Sequence, residues 1–252
     1  MSHKNKTVVK SMDLLNLFRL NPRMSLNELV ELTGSPKTSV HRMAGSLEEM
    51  GFLQRDGNGV YELGFVFLEF GQLVAERLDI RRAALPAMRQ LRDEVEEAVN
   101  LTIRDGDESI YIEKLESTRP VRLYTKIGRR APLYAGACSR ILLAHMPETE
   151  AERYLERTEL VPIAAGTITD VVQLRSLLAE SRRCGYSLSH SELENDTSAL
   201  AAPIFDYTGR IAGGLSVAGP DSRFRDERLP ELSEKVRSAA ERISRELGWK
   251  RE

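Results

Sequence analysis

Residues 25–51 read SLNELVELTGSPKTSVHRMAGSLEEMG, two helical periods separated by a short break. Ser25 and Glu28 stand at the spacing of a capping box, and Leu26, Leu29, Val30 and Leu32 follow at helical intervals. A first helix therefore starts at Ser25. Thr33, Gly34 and Ser35 break it, and Ser35 is expected to cap a second helix opening on Pro36, where a missing N–H costs nothing. Along that helix Val40, Met43, Leu47 and Met50 form an apolar stripe, and Gly51 ends it. Lys37, Thr38, Ser39, His41 and Arg42 fall on the other face near its N-terminal end. These are short or cationic side chains, the kind a recognition helix presents to base edges and phosphates in a major groove. The outline is a helix-turn-helix, although taken alone it also fits a helical hairpin with a solvated polar face.

The flanks favour DNA. Upstream, VVKSMDLLNLFRL at 8–20 places Val8, Met12, Leu15 and Leu20 at helical spacing, widened by Leu14, Leu17 and Phe18, so a third helix can close a small core. Downstream, Phe52 and Leu53 begin a strand, Asp56-Gly57-Asn58-Gly59 turns it, and Val60-Tyr61-Glu62-Leu63 returns. Three helices and a two-stranded ribbon make a winged helix-turn-helix, with Arg55 and Asn58 on the wing placed to touch backbone or minor groove.

Bulk properties neither announce nor exclude this. The chain has 252 residues and a formal charge of -2, enough for two domains. Residues 1–63 carry eight cations and seven anions, so one copy makes few phosphate contacts and useful affinity calls for a dimer on two half-sites. No apolar run has the length of a membrane span and MSHKNKTVVK has no apolar signal core, so a cytoplasmic protein is expected. Cys138 and Cys184 lie 46 residues apart and the four histidines are scattered, which indicates neither a disulfide framework nor a metal site.

Beyond the wing, GFVFLEFGQLVAERL at 64–78 carries more apolar surface than a small winged domain can cover, so it packs on a following domain or on a second copy. A helix over about 80–99 follows, with Leu85, Met88, Leu91, Val95 and Ala98 inward and Pro86 in its first turn or at a bend. Strands are expected at 100–104, 109–115, 121–125, 186–189, 198–206 and 210–218, and helices at 137–144, 148–155, 174–184 and 229–247. That order describes an α+β domain with a mainly antiparallel sheet.

Catalytic signatures are missing. Gly214-Leu215-Ser216-Val217-Ala218 lacks the second glycine of a nucleophile elbow and sits in a strand pattern, and no phosphate-binding glycine loop or paired carboxylates stand out. The small, turn-rich stretch 132–139 instead suggests a pocket, with a helix beginning near Ala137 aiming N–H groups at an anion. Close packing of helix on sheet would explain the same small residues.

Several segments together carry a resemblance: SPKTSVHR, Gly51-Phe52-Leu53, Tyr61-Glu62-Leu63-Gly64, GRRAPLYAGACSRILLA at 128–144, Cys184-Gly185-Tyr186, Ser191-Glu192 and ALAAPIFDYTGRIAGGLSVAGP at 199–220. Over nearly its full length the chain resembles the IclR family of bacterial transcription regulators. The resemblance implies a DNA-binding domain over 1–63, a linker helix used for dimerisation over 64–80, and a GAF-like domain over 81–252 that binds a small, usually carboxylate-bearing effector. It places the effector pocket on Leu133, Tyr134, Ala135, Gly136, Ala137, Cys138 and Ser139, opposed by Ser189, Glu192, Thr197 and Ala199; the DNA contacts expected from the helix-turn-helix and wing residues themselves are Ser35, Lys37, Thr38, Ser39, His41, Arg42, Arg55 and Asn58. The match is imperfect: many members have Gly-Lys at Ser139-Arg140 and Gly at Asp196, and some have an acidic residue at Ser189. The expectation is a homodimer, or a tetramer of paired dimers, on a near-palindromic double-stranded operator, repressing a metabolic operon, with no cofactor, metal or membrane partner. Two rivals remain, a protein-interaction module that ignores DNA and a small-molecule enzyme built on the second domain. Failure to bind upstream DNA would favour the first, turnover of a bound metabolite the second.

Overall fold

The structure, a computed structural model, describes residues 5–76, 79–121, 123 and 125–250. It divides into two compact units at Arg77/Leu78.

The first unit runs α1 (Lys6–Leu17), β1 (Met24–Ser25), α2 (Leu26–Thr33), α3 (Lys37–Glu49), β2 (Leu53–Arg55), β3 (Val60–Leu63) and α4 (Val66–Glu76). Ser25 caps α2 through both arms of the capping box, and Gly34 closes the helix in the left-handed conformation at φ 59°. The cap of α3 differs from expectation. Pro36, extended at φ -55° and ψ 137°, is the capping residue, while the Ser35 hydroxyl turns back 3.5 Å to the Thr33 carbonyl. The core gathers Leu14, Phe18, Met24, Leu29, Val40, Ala44, Leu47, Leu53 and Tyr61. Met50 is exposed instead of joining this stripe, because α3 ends at Glu49 and buries Ala44 in its place; Val8, Met12 and Leu20 are exposed too. The wing has three strands, not two. The short β1 pairs with β3 through Met24 and Tyr61, a two-residue bridge too brief to show as alternation in the sequence.

Gly64 joins wing to α4 where the chain passes the end of α3. A Cβ there would lie 1.9 Å from the Gly51 carbonyl oxygen, a backbone atom with no rotamer to escape through. Gly64→Ala is expected to lower the calorimetric transition of this unit by about 1–3 kcal/mol or more, the range of overpacking. An unchanged transition would show that the junction relaxes freely.

The second unit runs α5 (Asp79–Val95), β4 (Ala98–Asp105), β5 (Glu108–Leu115), β6 (Arg130–Pro132), α6 (Ala137–His145), α7 (Glu148–Arg157), α8 (Val171–Cys184), β7 (Ser187–His190), β8 (Thr197–Phe205), β9 (Ile211–Pro220) and α9 (Leu229–Glu246). Its six strands form one antiparallel sheet in the order β6-β5-β4-β9-β8-β7. With the helical winged unit this makes the chain α+β. Val99, Leu101, Leu200, Ala202, Leu215 and Val217 pack one sheet face against α5 and α9. The other face meets α6, which brings Cys138 and Ile141 against Ala201.

Two expectations are corrected. Ala98 begins β4 and does not extend α5, because Glu96 turns the chain at a positive φ of 58° and Glu97 is buried between Arg223 at 2.8 Å and Arg228 at 3.3 Å. The strand expected at 121–125 is absent at Val121, Leu123 and Thr125, while Arg122 and Tyr124 lie outside the described residues; β6 takes the sheet edge by pairing with β5. No helix among the described residues is long and apolar enough to cross a membrane.

Candidate functional site

Two surfaces have the chemistry to act, one in each unit. In the first, α3 buries Val40, Ala44 and Leu47 and leaves Lys37, Thr38, Ser39, His41 and Arg42 exposed on its opposite side. Lys37 donates to Asn27 Oδ1 at 3.2 Å, and neither it nor Arg42 makes an ion pair with the described residues. The wing cations are more committed. Arg55 reaches Glu48 at 3.5 Å and lies 5.7 Å over the Tyr61 ring, and Arg23 pairs with Asp56 and Glu62. Asn58 is exposed at the turn, its N–H donated to Asp56 Oδ1 at 2.9 Å. Ser35 is half-buried at the break between the helices. Bases and phosphates would thus meet free donors chiefly along α3.

In the second unit a cavity of about 40 Å³ lies between the sheet and the start of α6. Its floor follows from strand register. Asn100 of β4 stands opposite Ser216 of β9, which stands opposite Ala201 of β8; Ala218, Ala199 and Ser189 line up in the next row. Side chains this small leave space that Leu or Val at the same positions would fill. Of the residues singled out by sequence, Gly136, Ala137, Cys138, Ser189, Glu192, Thr197 and Ala199 line this cavity. Leu133, Tyr134 and Ala135 do not; they pack against Leu142, Tyr154 and Leu174, and the Tyr134 hydroxyl donates to the Val161 carbonyl at 2.8 Å. Ser139 lies away from it as well, its hydroxyl 2.7 Å from that of Ser109.

The start of α6 already holds an anion. The Gly136 N–H donates to Glu192 Oε2 at 2.8 Å, and Arg140 Nη1 lies 2.6 Å from each Glu192 oxygen. Arg140 also donates to Ser187 Oγ at 3.1 Å and to the Leu188 carbonyl, so both charges are buried and hydrogen-bonded. The anion expected at this helix terminus is therefore the protein's own carboxylate. Gly136 sits at φ 83°, and a Cβ would meet Leu193 at 2.7 Å. Asp196 has φ 58°, a conformation glycine adopts freely and Asp tolerates better than most residues.

Other wall residues escaped the sequence reading: Asn100, Tyr111, Arg129, Glu194 and Ser216 among them. A usable signal existed in β4, where Asn100 and Thr102 alternate with the apolar Val99 and Leu101. Arg129 pairs with Glu194 at 2.5 Å and is the one cation among the described lining residues. Burial holds the Tyr111 phenol well above its usual range and pushes the Cys138 thiol up. Thr102 Oγ1 lies 2.9 Å from the Cys138 sulfur, so this is a packed thiol and not a nucleophile. A disulfide reagent is expected to label Cys184 in the folded chain and Cys138 only after denaturation; rapid native labelling of Cys138 would show the cavity to be open. Ser216 lies mid-strand in β9, which removes the elbow geometry a serine nucleophile needs.

A winged helix-turn-helix unit followed by an α+β unit is the composition of a DNA-binding transcriptional regulator, and the family comparisons support that class. The IclR helix-turn-helix domain matches residues 7–57, and the bacterial transcriptional regulator IclR C-terminal domain matches residues 72–245. The chain belongs to the IclR family; its relatives are transcriptional regulators and not enzymes. It is 59% identical over 249 residues to the HTH-type transcriptional regulator KipR of Bacillus subtilis, covering 99% of this chain and 100% of that protein. The crystal structure of Thermotoga maritima IclR superposes with a TM-score of 0.83 at 31% identity, over 96% of this chain and 99% of that one. An IclR homolog from Microbacterium hydrocarbonoxydans, complexed with 4-hydroxybenzoate, superposes with a TM-score of 0.83 at 25% identity, over 96% and 99% of the two chains.

Proposed function

We propose that this DNA-binding regulator represses a metabolic operon and is controlled by a small carboxylate effector held in the cavity beneath α6. The observation that carries the effector reading is the cavity itself, walled by Arg129, Asn100 and Ser216. At about 40 Å³ it is far below the roughly 300–1,000 Å³ of drug-sized sites, so a compact acid suits it unless the walls move. The 4-hydroxybenzoate bound by the Microbacterium homolog is itself a carboxylate. An acid would draw Arg129 from Glu194 and take its guanidinium as a partner.

Two copies act together. Phe65, Leu68, Phe70 and Leu73 leave an apolar surface exposed in the first unit, which fits pairing of linker helices in a dimer, with tetramers of paired dimers as the larger assembly. A dimer seats two α3 helices in half-sites one helical turn, or a multiple of it, apart. Occupying an operator that overlaps a promoter excludes polymerase, and effector binding shifts operator affinity by about 5- to 150-fold, the range of ordinary allosteric coupling. Footprinting of the DNA upstream of the gene and its neighbours tests this. A near-palindromic footprint, with neighbouring transcripts rising on deletion of the gene, is the expected result; falling transcripts would make the protein an activator.

A further inference from the structure

Tyr111 and Arg129 meet at one end of the cavity. Tyr111 of β5 stands opposite Thr102 of β4, whose hydroxyl touches the Cys138 sulfur, so its side chain leaves the sheet on the α6 side; its strand neighbours Ile110 and Ile112 pack on the α5 and α9 side. The Tyr111 N–H donates to the Arg129 carbonyl at 3.0 Å and the Gly128 N–H to the Tyr111 carbonyl at 2.7 Å, which brings Arg129 alongside. Both side chains line the cavity. The charges of Cys138, Arg129 and Glu194 act on the ionisation of the phenol, which places its hydroxyl among three wall residues. That hydroxyl makes no hydrogen bond with the described residues. Among them the buried side-chain atoms both unpaired and sealed from solvent are Asn100 Oδ1, Arg119 Nε and Arg242 Nε, so the free Tyr111 hydroxyl has open space before it. Burial keeps it protonated, an O–H donor in want of an acceptor. Arg129 pairs with Glu194, their side chains 26% and 43% exposed, an ion pair wet enough to exchange. At the other end, the Gly136 N–H that opens α6 is already taken by Glu192.

We infer that Tyr111 is a ligand-binding residue of this regulator, its hydroxyl joining the Arg129 guanidinium to hold the effector's carboxylate at the β5–β6 end of the cavity and not at the start of α6. This rests on the effector reading above and deepens it. One carboxylate oxygen accepts from Tyr111 and the other from Arg129 as Glu194 is released. Hydrogen bonds to an ionised acceptor are stronger than those to a neutral one, so the clamp favours an acid over its amide. The amide also leaves Arg129 with no negative partner to replace Glu194.

The test uses the full chain with acetate, pyruvate and succinate, each beside its neutral amide, and reads affinity from the melting-temperature shift across concentrations. At least one acid is expected to bind, and more tightly than its amide. Tyr111→Phe, which removes the hydroxyl alone, is expected to weaken that acid by about 10- to 100-fold, the loss of a hydrogen bond to a charged group. Its ligand-free melting temperature should stay within about a degree of the wild type, because the hydroxyl has no partner to lose. Glu194→Gln, which frees Arg129, is expected to tighten acid binding. A marked fall in the ligand-free melting temperature of Tyr111→Phe would make the phenol structural and overturn the assignment. Acid binding undiminished in Tyr111→Phe overturns the inference while leaving the effector reading intact, as does acid binding weakened in Glu194→Gln. No binding of any of the three acids by the wild type overturns both.

Discussion

Replacing Arg42 with alanine is expected to weaken operator binding by roughly one and a half to four orders of magnitude while leaving the melting temperature within about a degree of the wild type. Arg42 is exposed on the polar face of α3 and makes no ion pair with the described residues, so the fold loses nothing when it goes. Each lost contact to a base edge costs roughly 1–3 kcal/mol, and a dimer loses it twice. Lys37→Ala is expected to act more uniformly across sequences and to flatten the salt dependence, as loss of a phosphate contact does. Arg55→Ala should cost less than Arg42→Ala, because Arg55 is already drawn to Glu48 and Tyr61. Fluorescence anisotropy with labelled operator measures all three. Unchanged affinity in Arg42→Ala would remove this helix face from the interface.

The second large effect concerns stability. Arg140→Met is expected to destabilise the second unit by about 3–5 kcal/mol, against a total of roughly 5–15 kcal/mol for a typical domain. With its side chain 1% exposed, Arg140 is the group that neutralises Glu192. Its removal leaves a carboxylate in the interior with the Gly136 N–H as a remaining donor. Adding Glu192→Leu should recover much of the loss, since replacing both members of a buried pair by apolar groups costs less than removing one. Urea unfolding followed by circular dichroism provides the comparison. A single variant within about 1 kcal/mol of the wild type would mean that water reaches the pair.

The sequence carried the winged unit almost whole because its signals are local: a capping box, a glycine in the left-handed region, a turn of Asp and Gly between alternating strands. What it could not show is non-local. The bridge of β1 to β3 spans the whole helix-turn-helix, and its two residues have no periodicity of their own. The same limit governs the cavity. Small residues at 136–139 and 199 stood out, yet whether a side chain faces the space or the neighbouring core depends on where helix meets sheet. A single step along α6 therefore separates Cys138, on the wall, from Ser139, turned to Ser109. Asn100, Tyr111 and Arg129 come from three separate segments that only the sheet brings together. The Glu192 carboxylate at the start of α6 was equally hidden, because an ion pair between residues 140 and 192 leaves no trace in spacing.

Anisotropy titration of the full chain against its own upstream DNA, beside a scrambled duplex of equal length at physiological salt, tests the central claim most directly. The account predicts a dissociation constant of about 10⁻⁸ M or tighter for the upstream DNA, at least roughly 10³-fold tighter than for the scrambled duplex. It also predicts that affinity falls steeply as salt rises. Equal, weak binding to both duplexes would contradict it and leave the exposed face of α3 without a reader's role.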